Sequence, residues 1–190
     1  MKRAESTRGS RLLTMALGCC GIISVAFFLL ADGLGAYLTP DYSMTTQAIS
    51  ELMEAGAPFK HVADPLLVVY HGMVIPFAIG LHRAIRDGNR NPLGAILLAA
   101  AGATGVVLTL FFPCDPGCEP FVSVKRTLHI FMAIPMGFAI LFAILAFSRR
   151  LRRDPAWHGF ATYSLLTFAA GIAMAVVTVL LAETELVGLL

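Results

Sequence analysis

Long apolar stretches alternate with short polar ones along this chain. Leu12–Ala31, Pro65–Leu81, Pro92–Phe112, Thr127–Phe147 and Gly159–Ala182 contain no Asp, Glu, Lys or Arg. At about 1.5 Å per residue, each is close to the length that crosses roughly 30 Å of hydrocarbon. The pattern predicts an all-α, polytopic transmembrane bundle of five spans in one domain. Residues 1–11 form a basic, polar tail ahead of it.

One connection is long, residues 32–64, and its middle is patterned. Met44, Ala48, Ile49, Leu52 and Met53 recur at helical spacing, with Thr45, Thr46, Gln47, Ser50, Glu51 and Glu54 on the other face. This predicts a short amphipathic surface helix over 44–55, capped by Ser43 and ended by Gly56 before Pro58. Its polar face carries acids rather than Lys or Arg. That favours packing on the protein's own helices over adhesion to anionic lipid.

Composition agrees with a membrane class. Hydrophobic residues make up 57% of the 190 and charged residues only 14%, too apolar for a soluble domain. The first run is longer than a usual signal-peptide core and lacks a clear cleavage site, so it reads as a retained span. Charge adds direction. Lys2, Arg3, Arg8, Arg11, Arg83, Arg86, Arg90, Arg149, Arg150, Arg152 and Arg153 share one side if the spans alternate. Only Lys60, Lys125 and Arg126 fall on the other. The positive-inside bias then puts the N-terminus in the cytoplasm. Nine of the twelve acids lie on the opposite, outer side.

Ionisable groups near a membrane are expensive and mark candidate chemistry. Here they gather toward the outer side. Glu51 and Ser50 lie on the predicted surface helix, Asp115 in the loop between spans three and four, His129 at the start of span four, and His71 about two turns into span two. A carboxylate–His set can hold a divalent metal and activate water, or trade protons directly. Each group also has a plainer reading: an interfacial His bonding a carbonyl, a solvated acid, the first residue of a β-turn. Cys114 and Cys118 flank Asp115-Pro116-Gly117, a turn that can bring two sulfurs together. A disulfide is favoured on the oxidising side, and a metal pair completed by His71 or His129 is the alternative. Cys19 and Cys20 read as small apolar groups of span one. His71 and His82 share a helix face, as in two-haem membrane cytochromes, but His82 abuts Arg83 at the membrane edge, which argues against haem. Phosphate-loop, serine-hydrolase and zinc-protease motifs are absent, and no nucleic-acid-binding pattern appears.

The string Ile49-Ser50-Glu51-Leu52 followed by Pro58, then Phe112-Pro113-x-Asp115, then His129, resembles domain of unknown function 998. That is a family of small prokaryotic multi-span proteins with no assigned activity. The resemblance covers about residues 12–190 and implies that Ser50, Glu51, Asp115 and His129 belong to one signature. The Cys pair departs from the general pattern. The resemblance also implies a sixth span, beginning where this chain stops at Leu186–Leu190, so a truncated six-span bundle is favoured over a five-span variant. The combined expectation is an outward-facing polar site of Glu51, Asp115 and His129, with His71 and Ser50 in support, gathered within about 10 Å. It would bind or hydrolyse a lipid or another membrane-associated small molecule. A transporter or proton-coupled sensor and a structural or assembly protein are the rival classes. The bilayer is the expected partner, and oligomeric state is left open.

Overall fold

A computed structural model describes residues 2–40, 42–44, 47–116 and 123–181. Among these residues the chain is all helix, with five long helices joined by loops and one short 3-10 turn. They are α1 (Lys2–Leu38), α2 (Lys60–Ala84), α3 (Leu93–Phe111), α4 (Val124–Leu151) and α5 (His158–Leu181). All five are long and apolar enough to cross a membrane. Each packs chiefly against the next in sequence, and contacts between other helices are weak. The bundle therefore has a basic face, carrying the α2–α3 and α4–α5 loops, and an acidic face, carrying the α1–α2 and α3–α4 loops.

Several boundaries differ from the sequence pattern, each for a local reason. Helix α1 takes in the basic tail and continues past Asp32 to Leu38. Asp32 is not the start of a loop. It sits in the last turns of the helix and accepts a hydrogen bond from the Tyr42 hydroxyl (3.3 Å). Helix α2 starts at Lys60, five residues before its apolar run, because Lys60 and Asp64 pair at i,i+4 (2.8 Å). The long connection is thus shorter than residues 32–64. The surface helix expected over 44–55 is a single 3-10 helix, Ile49–Met53. Its first turn is closed by the Glu51 carboxylate, which accepts from the Ala48 N–H (3.0 Å). It ends before Gly56, whose φ of +93° breaks the helical run. Thr45 and Thr46, Cys118, and the segment 182–190 where a sixth span was expected lie outside the described residues.

The apolar stripe still seats the turn. Leu52 and Met53 are buried with Ala31, Phe59, Ala63 and Leu67, and Ile49 packs against them. Met44 stays exposed. Burying side chains of this size is worth about 1.5–3 kcal/mol each where they leave water. Lys60 Nζ donates to the Met53 carbonyl (2.8 Å) and ties the turn to α2. At the basic face a second cluster joins Ile85, Phe147, Leu151 and Ala161, with Trp157 against it.

Small residues set how closely the helices approach. A Cβ on Gly80 would lie 2.7 Å from Leu17 Cβ and 2.9 Å from its carbonyl carbon, so α1 and α2 touch nearly backbone to backbone. Ser24 of α1 donates to the Tyr70 carbonyl of α2 across this contact (2.9 Å).

Candidate functional site

At the acidic face, the exit of α3 and the entry of α4 build one polar set. Ser123 caps α4 by accepting the Arg126 N–H (3.2 Å). The same hydroxyl donates to the Asp115 carboxylate. One turn into the helix, His129 Nδ1 lies 2.7 Å from the Phe112 carbonyl. A carbonyl only accepts, so Nδ1 carries the proton and donates, and in the neutral ring the lone pair falls on Nε2. Arg126 and His129 are three residues apart, so they share a helix face, and both are buried.

Arg126 is the residue that sequence reasoning missed. Counted only as a minor basic residue of the outer side, it is wholly inaccessible (0%). Its Nε and Nη2 have no hydrogen-bond partner among the described residues. The signal that marks it is position: it lies one turn before a buried His, at the mouth of a span.

The other expected site residues belong to other segments. The Glu51 carboxylate is bonded within its own loop, accepting from Gln47 Nε2 (2.7 Å) and from the Ala48 N–H. It lies near Tyr42, whose phenol is held above its ordinary value first by burial, then by Asp32 and Glu51. No hydrogen bond or ion pair among the described residues joins Glu51 to Asp115 or His129. The two loops do meet through backbone, where Ala55 N–H donates to the Cys114 carbonyl (2.9 Å). Ser50 is half-buried on the 3-10 turn. Cys114 is buried and disulfide-bonded, while Cys19 and Cys20 are free thiols.

His71 lies deeper. Its ring rests on α3 where Gly105 leaves room: a Cβ there would be 2.0 Å from His71 Nδ1. It lies tilted against Tyr70, ring centroids 4.3 Å apart. Gly105 precedes Phe112 by seven residues, about 10 Å along the helix axis, so His71 and His129 occupy different depths. Among the described residues no three His, Cys, Asp or Glu side chains converge as a metal-binding group. Tyr70 and His71 line an apolar groove of about 700 Å³ that also takes in Ile22, Val25, Leu29 and Phe77.

The basic face holds a second network that the clustering of Arg149–Arg153 did not disclose. Arg150 donates from Nε to Asp87 Oδ2 (3.0 Å) and from Nη2 to Asp87 Oδ1 (3.0 Å). It also donates to the Ile85 carbonyl (2.8 Å) and, through Nη1, to His82 Nδ1 (2.9 Å). The side chains of Arg150 and Asp87 are 5% and 0% exposed. The Arg150 guanidinium holds the Asp87 carboxyl below the ordinary carboxylate range. Asp154, also buried, accepts the Arg86 and Ala156 N–H groups. Together these bonds fix the α2–α3 and α4–α5 loops against each other.

No curated protein and no solved structure matches the chain. The profile of a family described as protein of unknown function (DUF998) matches residues 22–190. With five apolar helices arranged as above, the chain is a multi-pass integral membrane protein and belongs to the domain of unknown function 998 family.

Proposed function

We propose that the protein binds a membrane-associated amphiphile whose anionic head reaches Arg126 and His129 at the acidic face. One observation carries the reading. Arg126 is sealed from solvent while Nε and Nη2 stay unpaired among the described residues. An unsatisfied buried donor costs about 1–3 kcal/mol, more when charged, and a buried cation without a partner costs several. An anion that accepts from both nitrogens removes that cost. His129, oriented by the Phe112 carbonyl, keeps its Nε2 lone pair free to accept from a hydroxyl of the head. Asp115, held by Ser123, borders the same entrance. The apolar groove beside Tyr70 and His71 is roomy enough for an aliphatic tail. In this reading the basic face is cytoplasmic, because eleven of the fourteen Lys and Arg lie there, and the head is bound from the outer leaflet.

The test compares wild type with Arg126→Gln and Arg126→Met. Protein purified in mild detergent is extracted and its lipids identified by mass spectrometry. An anionic amphiphile should accompany wild type and be depleted in Arg126→Gln, and stripping lipid should lower the stability of wild type alone. The reading fails if lipid content is unchanged by the substitution. It fails equally if Arg126→Met is more stable than lipid-loaded wild type, because the guanidinium would then be an uncompensated burden.

A further inference from the structure

The basic face carries a second cleft, separate from Arg126 and independent of the reading above. It has a volume of about 760 Å³ and lies between the start of α1, the end of α2 and the α4–α5 turn. Arg11, Arg83, Arg86 and Arg90 line it, with Trp157 on one wall. A basic face follows from insertion alone. The gathering of four arginines around one concave space does not. Arg149, Arg152 and Arg153 share the face, are exposed, and do not line the cleft.

The four cations are also uncommitted. Among the described residues none is ion-paired with a carboxylate. Arg83 Nη2 lies 3.5 Å from the Ser10 hydroxyl. Asp154, the acid in the lining, is spent on the Arg86 and Ala156 N–H groups. That bond holds the Arg86 backbone in place. Arg90 is fixed as well: its φ is +47°, a left-handed conformation that costs a non-glycine residue about 1 kcal/mol, and its N–H donates to Asp87 (3.1 Å). The loop is anchored in turn by the Asp87–Arg150 pair. Arg86 and Arg90 thus stand on pinned backbone beside an open space.

Arginine forks match phosphate oxygens in geometry as well as charge. The cleft sits at the helix ends, with exposed Leu12, Met15 and Phe160 nearby and a Trp–Phe pair, Trp157 and Phe160, with ring centroids 5.6 Å apart. Apolar surface and Trp at that level are characteristic of a bilayer interface. We propose that this cleft binds the phosphodiester headgroup of an anionic membrane phospholipid. Its phosphoryl chemistry is shared with soluble phosphate esters. The adjoining apolar surface selects the lipid source, and four cations beside one spent acid select a head without a compensating positive charge.

Trp157 is the chain's one tryptophan, so the site carries its own reporter. Full-length protein, stripped of lipid in neutral detergent, is titrated with dioctanoyl phosphatidylglycerol, dioctanoyl phosphatidylcholine and glycerol 3-phosphate while Trp157 emission is followed. The phosphatidylglycerol response should be saturable and at least about tenfold tighter than either of the others. Arg86→Gln and Arg90→Gln, each made singly, keep the backbone bonds and should each weaken it about tenfold, the loss of one charged hydrogen bond or more. Arg149→Gln removes the same charge from the same face outside the cleft and should bind as wild type does. Indistinguishable responses to the two lipids would overturn the proposal, as would wild-type affinity in both cleft variants or an equal loss in Arg149→Gln. Equal affinity for glycerol 3-phosphate would overturn the lipid source.

Discussion

Replacing Asp87 by Asn removes one negative charge from beneath a guanidinium that cannot lose its own. Asn keeps one carbonyl oxygen for Arg150 Nη2 and the Arg90 N–H, but its amide turns a donor toward Arg150 Nε. Arg150 retains the Ile85 carbonyl and His82 Nδ1. The loss is therefore one charge-assisted hydrogen bond, about 1.5–3 kcal/mol, plus the cost of a cation left uncompensated. Breaking a fully buried pair costs about 3–5 kcal/mol. This pair is closed to water at its side chains, yet Asp87 lies in a loop at the protein edge with few atoms packed around it, so the lower bound applies. We expect about 2–3 kcal/mol. The assay is equilibrium unfolding in mixed micelles of rising SDS fraction, read by Trp157, which packs on the adjoining cluster. Arg150→Gln and the double variant complete a cycle, and the two losses should be non-additive by about 1–2 kcal/mol. Acid dependence gives a second reading. The folded-state pKa of Asp87 is depressed, so its contribution is fully present above the ordinary carboxylate pKa and is lost as pH falls through the lower folded value. Asp87→Asn should remove that part of the acid sensitivity. Additive losses, or a change under about 0.5 kcal/mol with an unaltered acid profile, would refute the argument.

Other expectations follow from the packing, the loops and the charge pattern. Gly105→Ala puts a methyl group into the His71 ring and should cost about 1–3 kcal/mol by the same unfolding assay. His71→Ala should restore most of that loss, and a neutral Gly105→Ala would show that the ring moves aside freely. Cys114 and Cys118 should resist alkylation until reductant is added, as a bridge in the α3–α4 loop requires, and two reactive thiols in unreduced protein would rule the bridge out. A single Cys at position 88 of a Cys-free variant should be shielded from an impermeant thiol reagent in intact cells, and labelling there would reverse the proposed orientation.

Sequence alone determined the class and the five spans found among the described residues, because a bilayer imposes one rule that a linear pattern can satisfy: every backbone group must bond within its own apolar segment. Five charge-free runs meet that rule wherever the helices later pack. Helix ends were less legible. The Lys60–Asp64 pair, the Asp32–Tyr42 bond and the Glu51 turn closure act among neighbouring residues that an apolar count does not weigh. That Asp115 and His129 come from the two ends of one α3–α4 connection could be anticipated, since both flank the same loop. Glu51 shows where that reasoning stops: its depth was readable, but its partners, Gln47 and the Ala48 N–H, depend on how the loop turned. Arg126, Arg150 and the basic cleft needed the tertiary structure most. Arg149 and Arg150 are identical in sequence terms, yet one is exposed and the other sealed against Asp87. Only the tertiary packing decides which arginine meets a carboxylate, which stays unpaired among the described residues, and which four line a common space.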